Sequence, residues 1–130
     1  GQQAEAEAAL PFVRVESVTE LETLLLSARN AGQPVMLDFT ADWCVACKEM
    51  EEYTFPDASV VAALEPFLLL QADVTENNAD DQALLTYFES YGPPTIVFFD
   101  RSGTEQDAYR RYGYVPAEEF SAHVNALAAL

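Results

Sequence analysis

A three-layer α/β domain with a mixed central sheet is the fold this sequence predicts, and three observations predict it. Three short apolar runs, Pro34 to Thr40, Phe67 to Val74 and Thr95 to Phe99, have the length and composition of buried strands. Stretches with apolar residues at helical spacing alternate with them, the alternation that builds layered α/β folds. The only two cysteines, Cys44 and Cys47, fall where the first of these strands hands over to a helix, and open α/β sheets place their sites at such junctions.

Along the chain, residues 1–10 are rich in Ala, Glu and Gln with no apolar face and read as a linker or flexible extension. Residues 11–130 then make one domain, large enough to bury roughly 68–70% of its unfolded surface without a covalent staple. Phe12 to Val15 is a short strand. Ser17-Val18-Thr19-Glu20 has the form of a capping box, followed by Val18, Leu21, Leu25 and Ala28 on one face and Gly32 as a stop. A helix from about Cys44 to Tyr53 is expected to break near Phe55-Pro56 and resume from Asp57 to Leu64. Asn77 to Asp81 opens another helix, whose stripe of Leu84, Leu85, Phe88 and Tyr91 ends at Gly92. After the strand at Thr95, Asp100-Arg101-Ser102-Gly103 reads as a hairpin turn and Ala108 to Tyr112 as the returning strand. Gly113 precedes a last helix, with Pro116 in its first turn and Phe120, Val124 and Leu127 facing inward.

Acids outnumber bases 22 to 6, a formal charge of −16, and Lys48 is the only lysine. Such a surface repels phosphate backbones and anionic headgroups, which argues against nucleic-acid and membrane-surface partners. It suits a periplasmic, extracellular or salt-tolerant setting and names no partner by itself. No apolar run approaches the ~20 residues of a membrane span. Gly1 to Leu10 lacks the basic start and apolar core expected of a secretory signal.

The cysteine pair, Cys44-Val45-Ala46-Cys47, closes too short a loop to restrain much chain entropy. Zinc wants four ligands, and His123 is the lone histidine, far downstream of the pair, so no metal is expected. A cysteine–histidine protease pair would also demand a peptide cleft from one small domain. The reading that remains is a redox dithiol that needs no cofactor beyond its own disulfide. Cys44, in the first helical turn, can use unpaired N–H groups to stabilise a thiolate. Cys47 lies one turn deeper on the same face, so Cys44 attacks or is attacked first and Cys47 resolves the mixed disulfide. Glu51 shares that face. Asp38 interrupts the apolar strand Val35-Met36-Leu37-Asp38-Phe39, aimed at the same region, where burial favours its protonated form. Either carboxylate could take the proton that Cys47 gives up, and any negative charge they carry opposes a second one on Cys44. That makes the pair a reductant rather than an oxidant. The bland alternative for Glu51 is a solvated helix glutamate.

The stretch from Asp38 to Lys48, with Trp43 before the first cysteine and Lys48 after the second, resembles the active-site signature of the thioredoxin superfamily. Gly92-Pro93-Pro94-Thr95-Ile96 resembles its cis-proline loop, with Pro94 at the cis position. Within the superfamily, Ala41 to Glu49, Glu51, Tyr53-Thr54-Phe55, Ala72 to Thr75 and Pro94 to Asp100 are similar to the C-terminal periplasmic domain of the DsbD family of bacterial inner-membrane thiol:disulfide interchange proteins. The resemblance covers roughly residues 12 to 127. It implies a thioredoxin-like fold and a protein-disulfide reductase with Cys44, Cys47, Asp38 and Glu51 as catalytic groups. Trp43, Val45, Ala46, Pro93 and Pro94 would then meet the partner. It further implies a periplasmic location, with electrons taken from a membrane-embedded domain and passed to an N-terminal periplasmic domain of the same protein. An isolated domain of this kind is expected to be monomeric. Two features depart from the pattern: Pro93 has no N–H to offer a docked chain, and the run from Leu68 to Val74 lacks the buried lysine of general thioredoxins. The competing readings are a free-standing thioredoxin-like reductase, for example in cytochrome c maturation, and a non-enzymatic thioredoxin-fold interaction module.

Overall fold

Alternation along the central strand builds the two faces of the sheet. In β2 (Val35–Thr40) every residue is buried, with Val35, Leu37 and Phe39 on one side and Met36, Asp38 and Thr40 on the other. The structure is a computed structural model and describes residues 10–130. The segment 1–9, read above as a linker, lies outside the described residues, whereas Leu10 is half-buried against the core. The other strands are β1 (Val13–Arg14), β3 (Leu68–Asp73), β4 (Thr95–Phe99) and β5 (Arg111–Tyr112), and the sheet order is β1-β3-β2-β4-β5. β1 and β2 flank β3 in parallel, while β4 runs antiparallel to both β2 and β5, so the sheet is mixed as the sequence predicts.

Helices α1 (Val18–Asn30) and α4 (Ala79–Tyr87) cover the face that carries Leu37 and Phe39. The other face is covered by α3 (Ala58–Leu64) and α5 (Ala117–Ala128), which pack on Met36, Leu69, Ile96 and Phe98. Between β2 and α3 lies α2 (Val45–Glu49), which runs on into a wide π-helical turn at Met50–Thr54. Burial of these two apolar clusters is the main stabilising contribution, since each fully buried large aliphatic or aromatic side chain is worth about 1.5–3 kcal/mol.

Four expectations change in detail. Cys44 caps α2 with extended backbone, φ −93° and ψ 107°, and does not belong to its first turn. The chain leaves α4 after Phe88, where Glu89 takes a positive φ of 52°, so Tyr91 drops out of the helical stripe and stands fully exposed. The returning hairpin strand is cut to Arg111–Tyr112, because residues 107–109 form a 3-10 turn and Arg110 is drawn inward. Its guanidinium grips the Glu105 carboxylate at 2.7 and 2.9 Å and the Phe88 carbonyl at 2.7 Å. Of the Ser17 capping box only one bond forms, from the Glu20 N–H to Ser17 Oγ, whereas Asn78 and Asp81 make a complete reciprocal box at α4.

Candidate functional site

Three segments converge at one end of the sheet: the exit of β2 into α2, the exit of β3, and the loop before β4. Cys44 and Cys47 are joined as a disulfide, with Cα atoms 5.3 Å apart. Cys44 Sγ also accepts the Cys47 N–H at 3.2 Å, so sulfur stands where an oxygen cap would normally receive an unpaired helix donor. That N–H and the helix start favour negative charge on Cys44 once the disulfide opens. Both sulfur-bearing residues are buried, Cys44 at 7% exposure and Cys47 at 3%.

Asp38 is 3% exposed on the face shared with Met36. Burial pushes its carboxyl up to about 7, partly opposed by a hydrogen bond from Gln71 and reinforced by the negative charge of Glu51. The Gln71 amide donates to Asp38 Oδ2 at 3.0 Å, a pairing set by the register of β2 and β3, which aligns these two residues. Gln71 is a neutral donor, so this bond puts no positive charge beside the Asp38 carboxyl. Glu51 is exposed, at the π-helical turn, with its carboxylate 3.8 Å from Lys48 Nζ. Lys48, the only lysine of the sequence, thus pairs with a carboxylate at the surface.

Trp43 is 59% exposed and Val45 76%, forming an apolar rim around the sulfurs, whereas Ala46 is tucked against the core. The Pro93-Pro94 bond is cis. The Pro94 carbonyl accepts the Gly113 N–H at 3.2 Å, and Gly113 meets it with a φ of 76° that suits glycine. Trp43, Val74, Leu85, Tyr91 and Pro93 line a groove of about 420 Å³ beside the dithiol. Among the described residues no cluster of three or more His, Cys, Asp or Glu side chains could hold a metal ion. His123 is engaged elsewhere: its Nε2–H donates to the Tyr109 carbonyl at 2.7 Å and Nδ1 faces Arg111 at 3.0 Å.

Sequence reasoning missed Gln71, Thr75 and Tyr91. Gln71 had a signal, being the one polar residue inside the run from Leu68 to Ala72. Thr75 had a weaker one, the Asp73-Val74-Thr75 pattern of a side-chain turn.

A thioredoxin-like domain model matches residues 21–128. The chain belongs to the thioredoxin-like family. Thiol:disulfide interchange protein DsbD of Salmonella typhimurium is 52% identical over 122 residues, 94% of this chain and 21% of that protein. The DsbD of Ralstonia nicotianae is 54% identical over 111 residues, 85% of this chain and 18% of the relative. The chain therefore spans about a fifth of the length of the curated relatives it matches. The crystal structure of the oxidised C-terminal domain of Neisseria meningitidis DsbD superposes with a TM-score of 0.74 at 32% identity, covering 88% of this chain and 99% of that one. Its reduced form gives a TM-score of 0.72 at 31% identity. Within the thioredoxin-like family the chain is thus similar in sequence and fold to the C-terminal domain of DsbD. Among the described residues no helix is long and apolar enough to cross a membrane.

Proposed function

We infer that the domain is a protein-disulfide reductase that passes two electrons at a time through Cys44 and Cys47. The observation that carries this reading is the Cys44–Cys47 disulfide at the start of α2, which follows directly on the strand that holds the buried Asp38. In the reduced protein the Cys44 thiolate attacks one sulfur of a partner disulfide, forming a mixed disulfide and releasing the other partner sulfur as thiolate. Cys47 then loses its proton and attacks Cys44 Sγ. The intramolecular disulfide forms, the mixed disulfide breaks, and the partner leaves with both of its sulfurs reduced. A carboxyl titrating near 7 is matched to receive the Cys47 proton at neutral pH and hand it on to the departing thiolate. Glu51 acts on this step through its charge, which holds the Asp38 proton more firmly.

The donor of the electrons is a membrane-embedded dithiol and the acceptor an N-terminal periplasmic domain of the same polypeptide. Similarity to proteins about five times as long supports that assignment and, with it, a periplasmic location. Trp43, Val45, Pro93 and Pro94 form the surface on which partners dock; the exposure of Trp43 and Val45 on either side of Cys44, with the half-buried Pro93 lining the same groove as Trp43, supports it. Pro93 offers a carbonyl but no N–H, so a docked chain finds an acceptor there and no donor.

Single-cysteine variants test the reading. Cys47→Ser should accumulate mixed disulfides with partner proteins through Cys44, while Cys44→Ser should trap almost none. Equal alkylation rates for the two variants would overturn the division of roles. Failure of the reduced wild type to reduce any protein disulfide would overturn the activity.

A further inference from the structure

At the exit of β3 one threonine is bonded to both residues that lead into Cys44. The Thr75 hydroxyl accepts the Asp42 N–H at 2.9 Å, and the Thr75 carbonyl accepts the Trp43 indole N–H at 3.0 Å. A hydroxyl has a single proton, and here it is given to Asp73 Oδ1, which also accepts the Thr75 N–H at 2.9 Å. The lone pairs of Oγ are thereby turned toward Asp42. Asp73 is in turn held by Arg14 of β1, 3.2 Å from its other oxygen. A chain of polar contacts therefore runs from the edge of the sheet to the residue before the reactive cysteine.

We propose that Thr75 is the positioning residue that fixes the Asp42–Trp43 approach to Cys44, and with it the tryptophan wall of the groove, for reaction with protein disulfides. Trp43 is more than half exposed, so packing alone does not set its ring, and the Thr75 carbonyl is its indole's hydrogen-bond acceptor. Across the groove stand Tyr91 and Pro93. A ring free to swing would widen or close that groove without touching the sulfurs. Loss of the Thr75 hydroxyl frees the Asp42 N–H and so loosens the backbone that carries Trp43, even though the carbonyl acceptor of the indole remains; it should therefore weaken docking of a folded or extended protein partner and leave exchange with a small disulfide nearly intact. This role for Thr75 rests on the reading of the domain as a reductase and adds a residue that the cysteine motif does not contain.

The experiment uses the reduced full chain with two oxidants, insulin and oxidised glutathione, and the variants Thr75→Val, Thr75→Ser and Asp73→Asn. Thr75→Val should lower kcat/KM for insulin about tenfold, mostly through KM, with the glutathione rate changed by less than about twofold. Thr75→Ser, which keeps the hydroxyl, should react like the wild type. Asp73→Asn should show a smaller loss in the same direction. In Thr75→Val the Asp42 amide should exchange with solvent about tenfold faster while amides of β2 keep their protection, and the emission of Trp43, the sole tryptophan, should shift to the red. A folded Thr75→Val with wild-type insulin kinetics would overturn the proposal, as would parallel losses on both oxidants or a Thr75→Ser as impaired as the valine. Should Thr75→Val not fold, Asp73→Asn decides: wild-type kinetics on insulin overturn the proposal, and a selective loss supports it. Loss of all exchange in the wild type would instead strike the reductase reading, which keeps the two failures apart.

Discussion

Leu37 and Asp38 are neighbours on β2, face opposite sides of the sheet and are both shut away from water, at 0% and 3% exposure. Leu37 sits among Val35, Phe39, Leu70 and Val97, where every neighbour gains by excluding water. Asp38 sits beneath the turn that carries Glu51, with one amide donor, Gln71, to offset the loss of solvent. The first residue is a stabilising contribution at any pH. The second stabilises nothing when ionised and is retained at a cost that depends on pH. Adjacent positions of equal burial thus show where the fold is being maintained and where chemistry is being maintained at its expense.

The contrast can be broken by substitution. Leu37→Ala should destabilise the oxidised domain by about 2–5 kcal/mol at every pH, read from urea unfolding midpoints. Asp38→Asn should do the opposite. The folded chain holds the Asp38 proton up to about pH 7, while an unfolded aspartate releases it near the ordinary value of 3.8. The native state therefore binds more protons in that window, stability falls as pH rises from about 4 through about 7, and above it the loss is complete. A displacement of this size corresponds to about 4 kcal/mol. The Asp38→Asn variant should lose the slope and gain stability at pH 8 by up to that amount, with little change at pH 4. It should also release the mixed disulfide more slowly, because the proton acceptor is gone. A wild type whose stability is flat between pH 4 and 7 would remove the basis for both statements.

Smaller changes sharpen the same contrast. Gln71→Leu deletes the amide that stabilises ionised Asp38, and should cost roughly 1–3 kcal/mol at pH 8 and less at pH 5, moving the stability midpoint upward. Glu51→Gln should have the least effect on stability, since its ion pair with Lys48 is exposed and such pairs contribute about 0–1 kcal/mol. Its signature is a downward shift of the Asp38 midpoint, because a neighbouring negative charge has been removed. An upward shift would mean that Glu51 is not felt at Asp38.

The sequence made the dithiol, the buried aspartate, the five-strand framework and the inward residues of α5 legible, because each rests on local spacing or on a residue type out of keeping with its run. What it concealed depends on register. Gln71 meets Asp38 only because β2 and β3 align these residues, 33 positions apart in the chain. Thr75 lies equally far from Asp42, so no local pattern could disclose their bond. Tyr91 fitted a helical stripe on paper, and the stripe failed because the backbone reversed hand at Glu89, a choice that no apolar periodicity records. Glu51 and Lys48 were both visible, yet a helical wheel with uniform pitch could not show how the wide turn at Met50–Thr54 would arrange them.

That wide turn also makes one residue hard to replace. Met50 Sδ accepts the Val115 N–H at 3.3 Å, and Thr54 Oγ1 donates to the Val115 carbonyl at 2.6 Å. Two side chains thereby stand in for an absent strand, satisfying both backbone groups of a residue that no ladder reaches. Methionine and leucine are ordinarily close to interchangeable in a packed interior. Here leucine would fill the volume and leave an amide facing hydrocarbon, so the thioether is kept for its lone pairs and the interior of this protein reads the element as well as the shape.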